Sequence, residues 1–357
     1  MLSAHPSIAI PPETRFVMGM YWRRTEYGDL RNRANRERLA HDIVLDPESR
    51  VQFLGLDGPA VVEEILDEAT TLGSVYGIVF RAYCQKFDKP RWGDKRPAYY
   101  GFMDELDRLF PDAQFINLIR DPRACVESLM RMEWFPDDAA PCTAAWIHAV
   151  REARRSGVKL GADRYLEVRY EELVTDPERV SREVCEFLGE PFDDAMCRPE
   201  LVADKVNPAH YQQRIQIKEG INTATMESWR LKMDPKDIAL VDRAAAGWMK
   251  QLGYQPSGIG TASPARVAHV MWLHRSYRWS VIRRRRIDAR RRAYEDNPLA
   301  AQITEGQRRT AQVRRELSTT EKALRVLRPV IGPPTRPLRK GYQHVRWFVR
   351  SRRQGNS

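Results

Sequence analysis

The sequence predicts an α/β fold with a parallel sheet. Three observations carry that expectation. Helical and strand patterns alternate up to about residue 254. The apolar run Phe115–Ile119 passes through a polar Arg-Asp-Pro-Arg turn straight into a helix. At 357 residues the chain can bury a large core without disulfide or metal staples. In chain order, residues 61–87 read as one helix, 99–110 as a shorter one, 115–119 as a short buried strand and 124–132 as the helix after it. Residues 143–159 carry apolar groups at helical spacing, and 164–170 read as a second strand. The helix over 176–189 is bracketed by Pro177 in its first turn and Gly189 at its end. A final amphipathic helix fills 234–254, with Gly253 just past its end.

Hydrophobic residues make up 42% and charged residues 30%, which excludes a chain disordered throughout. No stretch approaches 18 uninterrupted apolar residues, so no spanning helix is expected. The five cysteines show no C-x-x-C spacing, which argues against a zinc site or a disulfide framework and for a reducing compartment. The first residues lack the basic and apolar regions of a secretory leader.

The net charge of +11 is unevenly spread. Residues 261–357 hold 24 basic and 6 acidic groups, and residues 1–260 hold 35 and 42. Gly, Ser and Pro cluster over 255–264, which divides the chain into a patterned part, 1–254, a linker, 255–264, and an Arg-rich, mainly helical tail, 265–357.

The chemistry concentrates in three segments. Arg120 falls at the carboxyl end of a strand, where ligands bind in parallel sheets, and Ser128 lies in the following helix. A guanidinium fork and a hydroxyl suit a phosphate group, although an ordinary turn with a surface arginine has the same local pattern. Lys95, in the loop Asp94-Lys95-Arg96-Pro97, offers a cation for charge developing on a transferred group, or is simply solvated. Glu13 follows Pro11-Pro12, so a carboxylate sits on rigid backbone; a helix start accounts for the same residues. No G-x-x-x-x-G-K-[ST] occurs, which weakens a kinase reading.

Taken in order, SAHPSIAIPPETRF, WGDKRPAYY, FPDAQFINLIRDPRACVESL, RYEELVTDPERVSREVCEFLGEPFD and MESWR resemble the sulfotransferases that use 3′-phosphoadenosine 5′-phosphosulfate (PAPS), in particular bacterial members related to the tyrosylprotein branch. The resemblance implies a P-loop-NTPase-like three-layer sandwich with a central parallel sheet, here carrying a basic helical C-terminal extension. It implies PAPS as sulfuryl donor without a metal, and a hydroxyl of a carbohydrate, lipid or other small molecule as acceptor. It implies Glu13 as base, Lys95 at the departing phosphate oxygen, Arg120 and Ser128 on the 3′-phosphate and Tyr170 near the nucleotide. Arg214 and Arg230 are expected to help close over it. Residues 20–90 are expected to cover the acceptor pocket.

Members of that family begin with a strand and a Gly/Ser/Thr-rich phosphate loop. This sequence starts inside the helix that follows, so an upstream start or a truncated, weakly active product is expected. The alternative function is an inactive relative acting through its tail. Arginine runs mixed with Trp272, Tyr277 and Trp279 suit an anionic membrane surface and equally a solvated or partner-binding helix, both better than nucleic acid; the membrane reading implies a cytoplasmic protein peripheral on the inner face of the membrane.

Overall fold

The computed structural model describes residues 1–202, 220–293 and 299–300. The expected α/β architecture with parallel strands is present. The strands form two separate pairs, β1 (Ile8–Ala9) with β2 (Arg91–Trp92) and β3 (Phe115–Ile119) with β4 (Tyr165–Arg169). Pro11, Pro12 and Pro90 lack the N–H that a ladder needs, which keeps β1 and β2 to two residues each. Among the described residues no strand bridges β2 and β3, so the single central sheet is seen as two parallel pairs. The edge of β3 away from β4 is therefore open, and Leu118 is 52% exposed, where the sequence pattern predicted a buried strand.

The helices before β2 are α1 (Phe16–Tyr27), α2 (Arg33–Val44), α3 (Gly58–Glu68) and α4 (Leu72–Gln85). The single helix expected over 61–87 breaks between α3 and α4 because Thr71 and Ser74 form a capping box. The Thr71 hydroxyl accepts from the Ser74 amide and the Ser74 hydroxyl accepts from the Thr71 amide, both at 3.0 Å. After β2 come α5 (Met103–Leu109), α6 (Pro122–Met130) and α7 (Ala139–Leu160). After β4 come α8 (Tyr170–Thr175), α9 (Pro177–Leu188), α10 (Trp229–Lys232), α11 (Pro235–Ala244), α12 (Ala246–Leu252) and α13 (Pro264–Arg292). Gly189 and Gly253 end α9 and α12 in the left-handed region, each at φ 77°. The helix expected over 234–254 is interrupted at Ala245.

One hydrophobic cluster holds α1–α4 together and reaches β2 through an aromatic column. Phe16 lies 5.4 Å from Phe80, Phe80 stacks on Trp92 at 4.7 Å, and Trp92 meets Phe110 edge-on at 5.1 Å. A second cluster joins α6, α7 and α11–α13, and a third joins β1, β4 and α9.

Residues 264–292 of the Arg-rich region form a helix packed on the domain. Ser257, in the segment leading to it, donates to Asp242 through its amide and hydroxyl at 2.7 and 2.6 Å. Along α7, Arg285 pairs with Glu152 at 2.7 Å and with Asp104 of α5 at 3.1 Å. Near the end of α13, Asp288 is buried and accepts from Arg24 at 3.0 Å, Arg108 at 2.7 Å and the Tyr21 hydroxyl at 3.0 Å. Residues 301–357 lie outside the described residues.

His148 is buried where α7 meets α13. Its ring lies 6.1 Å from His274, 5.9 Å from Tyr100 and 5.7 Å from Tyr277. Burial, with His274, Arg151 and Arg284 nearby, pulls it down to about 4 against the opposing pull of Glu152; His274 is lowered for the same first reason.

Replacing Asp288 by Ala strands the Arg24 guanidinium in the interior and should cost about 3–5 kcal/mol in urea unfolding. Asp288→Asn should recover part of that loss; equal stability of wild type and Asp288→Ala would refute the role. The depressed His148 makes the unfolded chain the better proton binder below its ordinary value. Stability should therefore be full above about pH 6.5 and fall towards pH 4, by about 2 kcal/mol at pH 5. A His148→Gln variant should show a flatter stability profile over the same range.

Candidate active site

Because β1 and β2 run parallel, the loops leaving their carboxyl ends lie side by side. One loop is Ile10–Arg15, with Pro11, Pro12 and Thr14 buried; the other is Gly93–Arg96. The Lys95 ammonium donates to Glu13 Oε1 across them. Both loops are fixed by the aromatic column, since Phe16 follows Glu13 by three residues and Trp92 precedes Lys95 by three. The loops approach closely at Gly93: an added Cβ would sit 2.6 Å from Ile10 Cδ1, and that side-chain end would have to shift.

Asp94, which the sequence did not single out, completes this corner. Its carboxylate accepts from the Tyr99 hydroxyl and, at 3.0 Å, from the Lys95 amide. Burial pushes its carboxyl up to about 6, although those two hydrogen bonds and Arg96 pull the other way. The Asp94 carboxylate thus braces the backbone amide of Lys95. Only the Asp-Lys adjacency in the sequence hints at that support.

The second pair of strands gathers the other candidates. At the carboxyl ends of β3 and β4, the Arg120 guanidinium stacks over the Tyr170 ring at 4.5 Å. Arg120 Nη2 donates to the Thr225 carbonyl at 2.6 Å, and the Tyr170 hydroxyl lies 3.2 Å from Thr225 Oγ1. The turn is tied down by Glu171, which accepts from the Asp121 amide at 2.8 Å and from the Tyr254 hydroxyl at 2.9 Å. Asp121 caps α6 and grips Arg123, so Arg123 is committed to structure. Ser128 is half-buried on the second turn of α6.

Arg230 stacks on Trp229 at 4.5 Å and pairs with Glu227 at 3.3 Å. Trp229 is buried, with Arg123 on its ring at 4.2 Å. Arg230 therefore lies in the segment that contacts Arg120 through Thr225, and its own guanidinium is engaged elsewhere. Arg214 lies outside the described residues. Cys125 packs beside the Arg120 carbonyl at 3.9 Å, and burial pushes its thiol up to about 12, far from a nucleophile.

Arg120 Nε is buried without a hydrogen-bond partner, which fits an anionic group arriving at this corner. With Ser128 it could hold the distal phosphate of a nucleotide. Among the described residues no group of three or more His, Cys, Asp and Glu side chains is placed to hold a metal ion.

The chain is similar to several known proteins. The protein-tyrosine sulfotransferase of Drosophila melanogaster is 25% identical over 265 residues, covering 72% of this chain and 48% of that protein. Protein-tyrosine sulfotransferase 1 of Danio rerio is 26% identical over 272 residues, covering 72% and 68%. The chain thus spans about half the length of the fly relative. Among solved structures, the sulfotransferase domain of the Synechococcus PCC 7002 olefin synthase aligns with a TM-score of 0.51 and 27% identity, covering 71% of this chain and 88% of that one. A family model described as "Sulfotransferase family" matches residues 1–194, more than half of the sequence, and the chain belongs to that family.

Proposed function

We propose that the protein transfers a sulfuryl group from PAPS to a hydroxyl. The observation that carries this reading is the contact between Glu13 and Lys95 at the carboxyl ends of β1 and β2. Bound PAPS supplies an activated sulfuryl group and leaves as 3′-phosphoadenosine 5′-phosphate. Glu13 takes the proton of the acceptor hydroxyl as its oxygen bonds to sulfur. Lys95 neutralises the charge that builds on the phosphate oxygen as the old sulfur–oxygen bond breaks. In the resting site the Lys95 ammonium is paired with the Glu13 carboxylate, and as it turns towards the leaving oxygen it frees that carboxylate for the acceptor hydroxyl. Arg120 and Ser128 hold the 3′-phosphate, Tyr170 flanks the nucleotide and Arg230 stands with the segment that covers it.

The acceptor is a hydroxyl-bearing carbohydrate, lipid or small molecule. The names of the relatives support a second class, the tyrosine phenol. A third component is location: a cytoplasmic enzyme held at the inner face of an anionic membrane by its basic C-terminal part.

Titration with 3′-phosphoadenosine 5′-phosphate tests the donor side. Arg120→Ala should weaken binding by about 10- to 100-fold, the worth of one charge-assisted contact to phosphate. Wild-type affinity in that variant would remove Arg120 from the site. Glu13→Gln should keep nucleotide affinity and lower kcat by about 10²- to 10⁴-fold with either a tyrosine peptide or a glycolipid acceptor. Unchanged turnover would exclude Glu13 as the base, and the acceptor that is sulfated decides between the two classes.

A further inference from the structure

We infer that the outward face of α13 is a docking surface for an anionic lipid bilayer. This deepens the peripheral location proposed above and rests on it. The helix is held along one side, where Val270, His274, Val281 and Asp288 are buried. On the opposite side Trp272, Arg275, Trp279, Arg283, Arg286 and Arg290 recur at spacings of three and four, so they form one stripe. All six are exposed, Trp272 by 64% and Trp279 by 62%. At 1.5 Å per residue the stripe runs about 27 Å.

Two features identify the occupant. The first is charge of one sign. The only acid in α13 is Asp288, which faces inward among arginines, and Arg275, Arg283, Arg286 and Arg290 make no ion pair among the described residues. An arginine row next to solvent with no counter-charge seeks an anionic partner. Residues 301–357 carry fourteen basic and three acidic groups, so like charge disfavours them as the occupant, and a symmetric contact with the same face of a second copy would set one arginine row against another.

The second feature is the pair of indoles. Exposed tryptophans seven residues apart on a basic stripe match the interfacial zone of a bilayer, where the ring reaches below the headgroups and the guanidiniums stay at the phosphates. The stripe lies on the back of a helix pinned along its length, so it presents a straight line to a plane. A duplex groove favours a helix free to insert.

The test is co-sedimentation of the full chain with phosphatidylcholine vesicles carrying or lacking about one third phosphatidylserine. Binding is expected only with the anionic lipid, and weakening as salt rises. Arg283→Gln with Arg286→Gln should lower partitioning about 30-fold, and Trp272→Ala with Trp279→Ala about tenfold. Arg283→Glu with Arg286→Glu, with the thermal melt followed by circular dichroism, separates lost docking from lost folding. Wild-type partitioning in all three variants would assign membrane binding elsewhere in the chain and overturn the proposal. Tighter binding to a random duplex than to vesicles at equal phosphate would make nucleic acid the occupant, and a concentration-dependent dimer abolished by the tryptophan variant would make it a second copy. Nucleotide titration of the same variants should be unchanged, so failure here is separable from failure of the sulfotransferase reading.

Discussion

The active corner depends on a column of aromatic rings. Phe16, Phe80, Trp92 and Phe110 come from four different segments, and their contacts close the gap between the helices of the first cluster and β2. β1 and β2 share so short a ladder that backbone pairing alone would not set their loops. The rings do so. A ring held on both faces moves little, because interiors are packed at crystal density and every displacement opens a void. Two loops each three residues from such an anchor inherit its position, which is why an exposed lysine and a half-exposed glutamate can meet reproducibly.

A second constraint closes the domain from the other end. Asp288 gathers Arg24, Arg108 and Arg292 around one buried carboxylate, and the Tyr21 hydroxyl fills the remaining acceptor geometry. Such a cluster is poor at adding net stability but strong at rejecting alternatives, since any misdocked α13 would bury a charge alone. The same helix shows how one composition serves two purposes. Several of its arginines meet a carboxylate or a carbonyl: Arg266 reaches Asp237 and Asp138, Arg285 reaches Glu152, and the exposed Arg291 reaches the Trp22 carbonyl. Arg284 and Arg292 are held as well, by the Gly101 carbonyl and by Asp288, while Arg275, Arg283, Arg286 and Arg290 are left to the outside.

Much of this was legible in the sequence. Glycine at the ends of α9 and α12, proline at the starts of α6 and α9, and the strand running into Arg120 follow from local chemistry, which the fold obeys. The sequence-motif candidates Glu13 and Lys95 do meet, as do Arg120 and Tyr170. What escaped was decided partly by local hydrogen bonds that composition hides and partly by partners far along the chain. The break after α3 depends on two hydroxyls exchanging hydrogen bonds, a pattern hidden inside a continuous apolar periodicity. The Arg-rich region looked detached because its composition is that of a solvated tail. Only the long-range acids Glu152, Asp104 and Asp237 reveal that part of it is a docked helix. The roles of Asp94 and Thr225 come from backbone and neighbour contacts, to which residue identity gives almost no clue.

The bond from Arg120 to the Thr225 carbonyl has a kinetic consequence. That carbonyl occupies one arm of the guanidinium while Nε stays unpaired. A phosphate that claimed the N–H held by the carbonyl would have to displace it, and its arrival would then be a ligand substitution at the guanidinium. The leaving carbonyl belongs to the chain just before Trp229 and Arg230, and its release frees that stretch, with the Tyr170 contact, to settle over whatever has arrived. Entry of the anion and rearrangement of the segment would then be one exchange event.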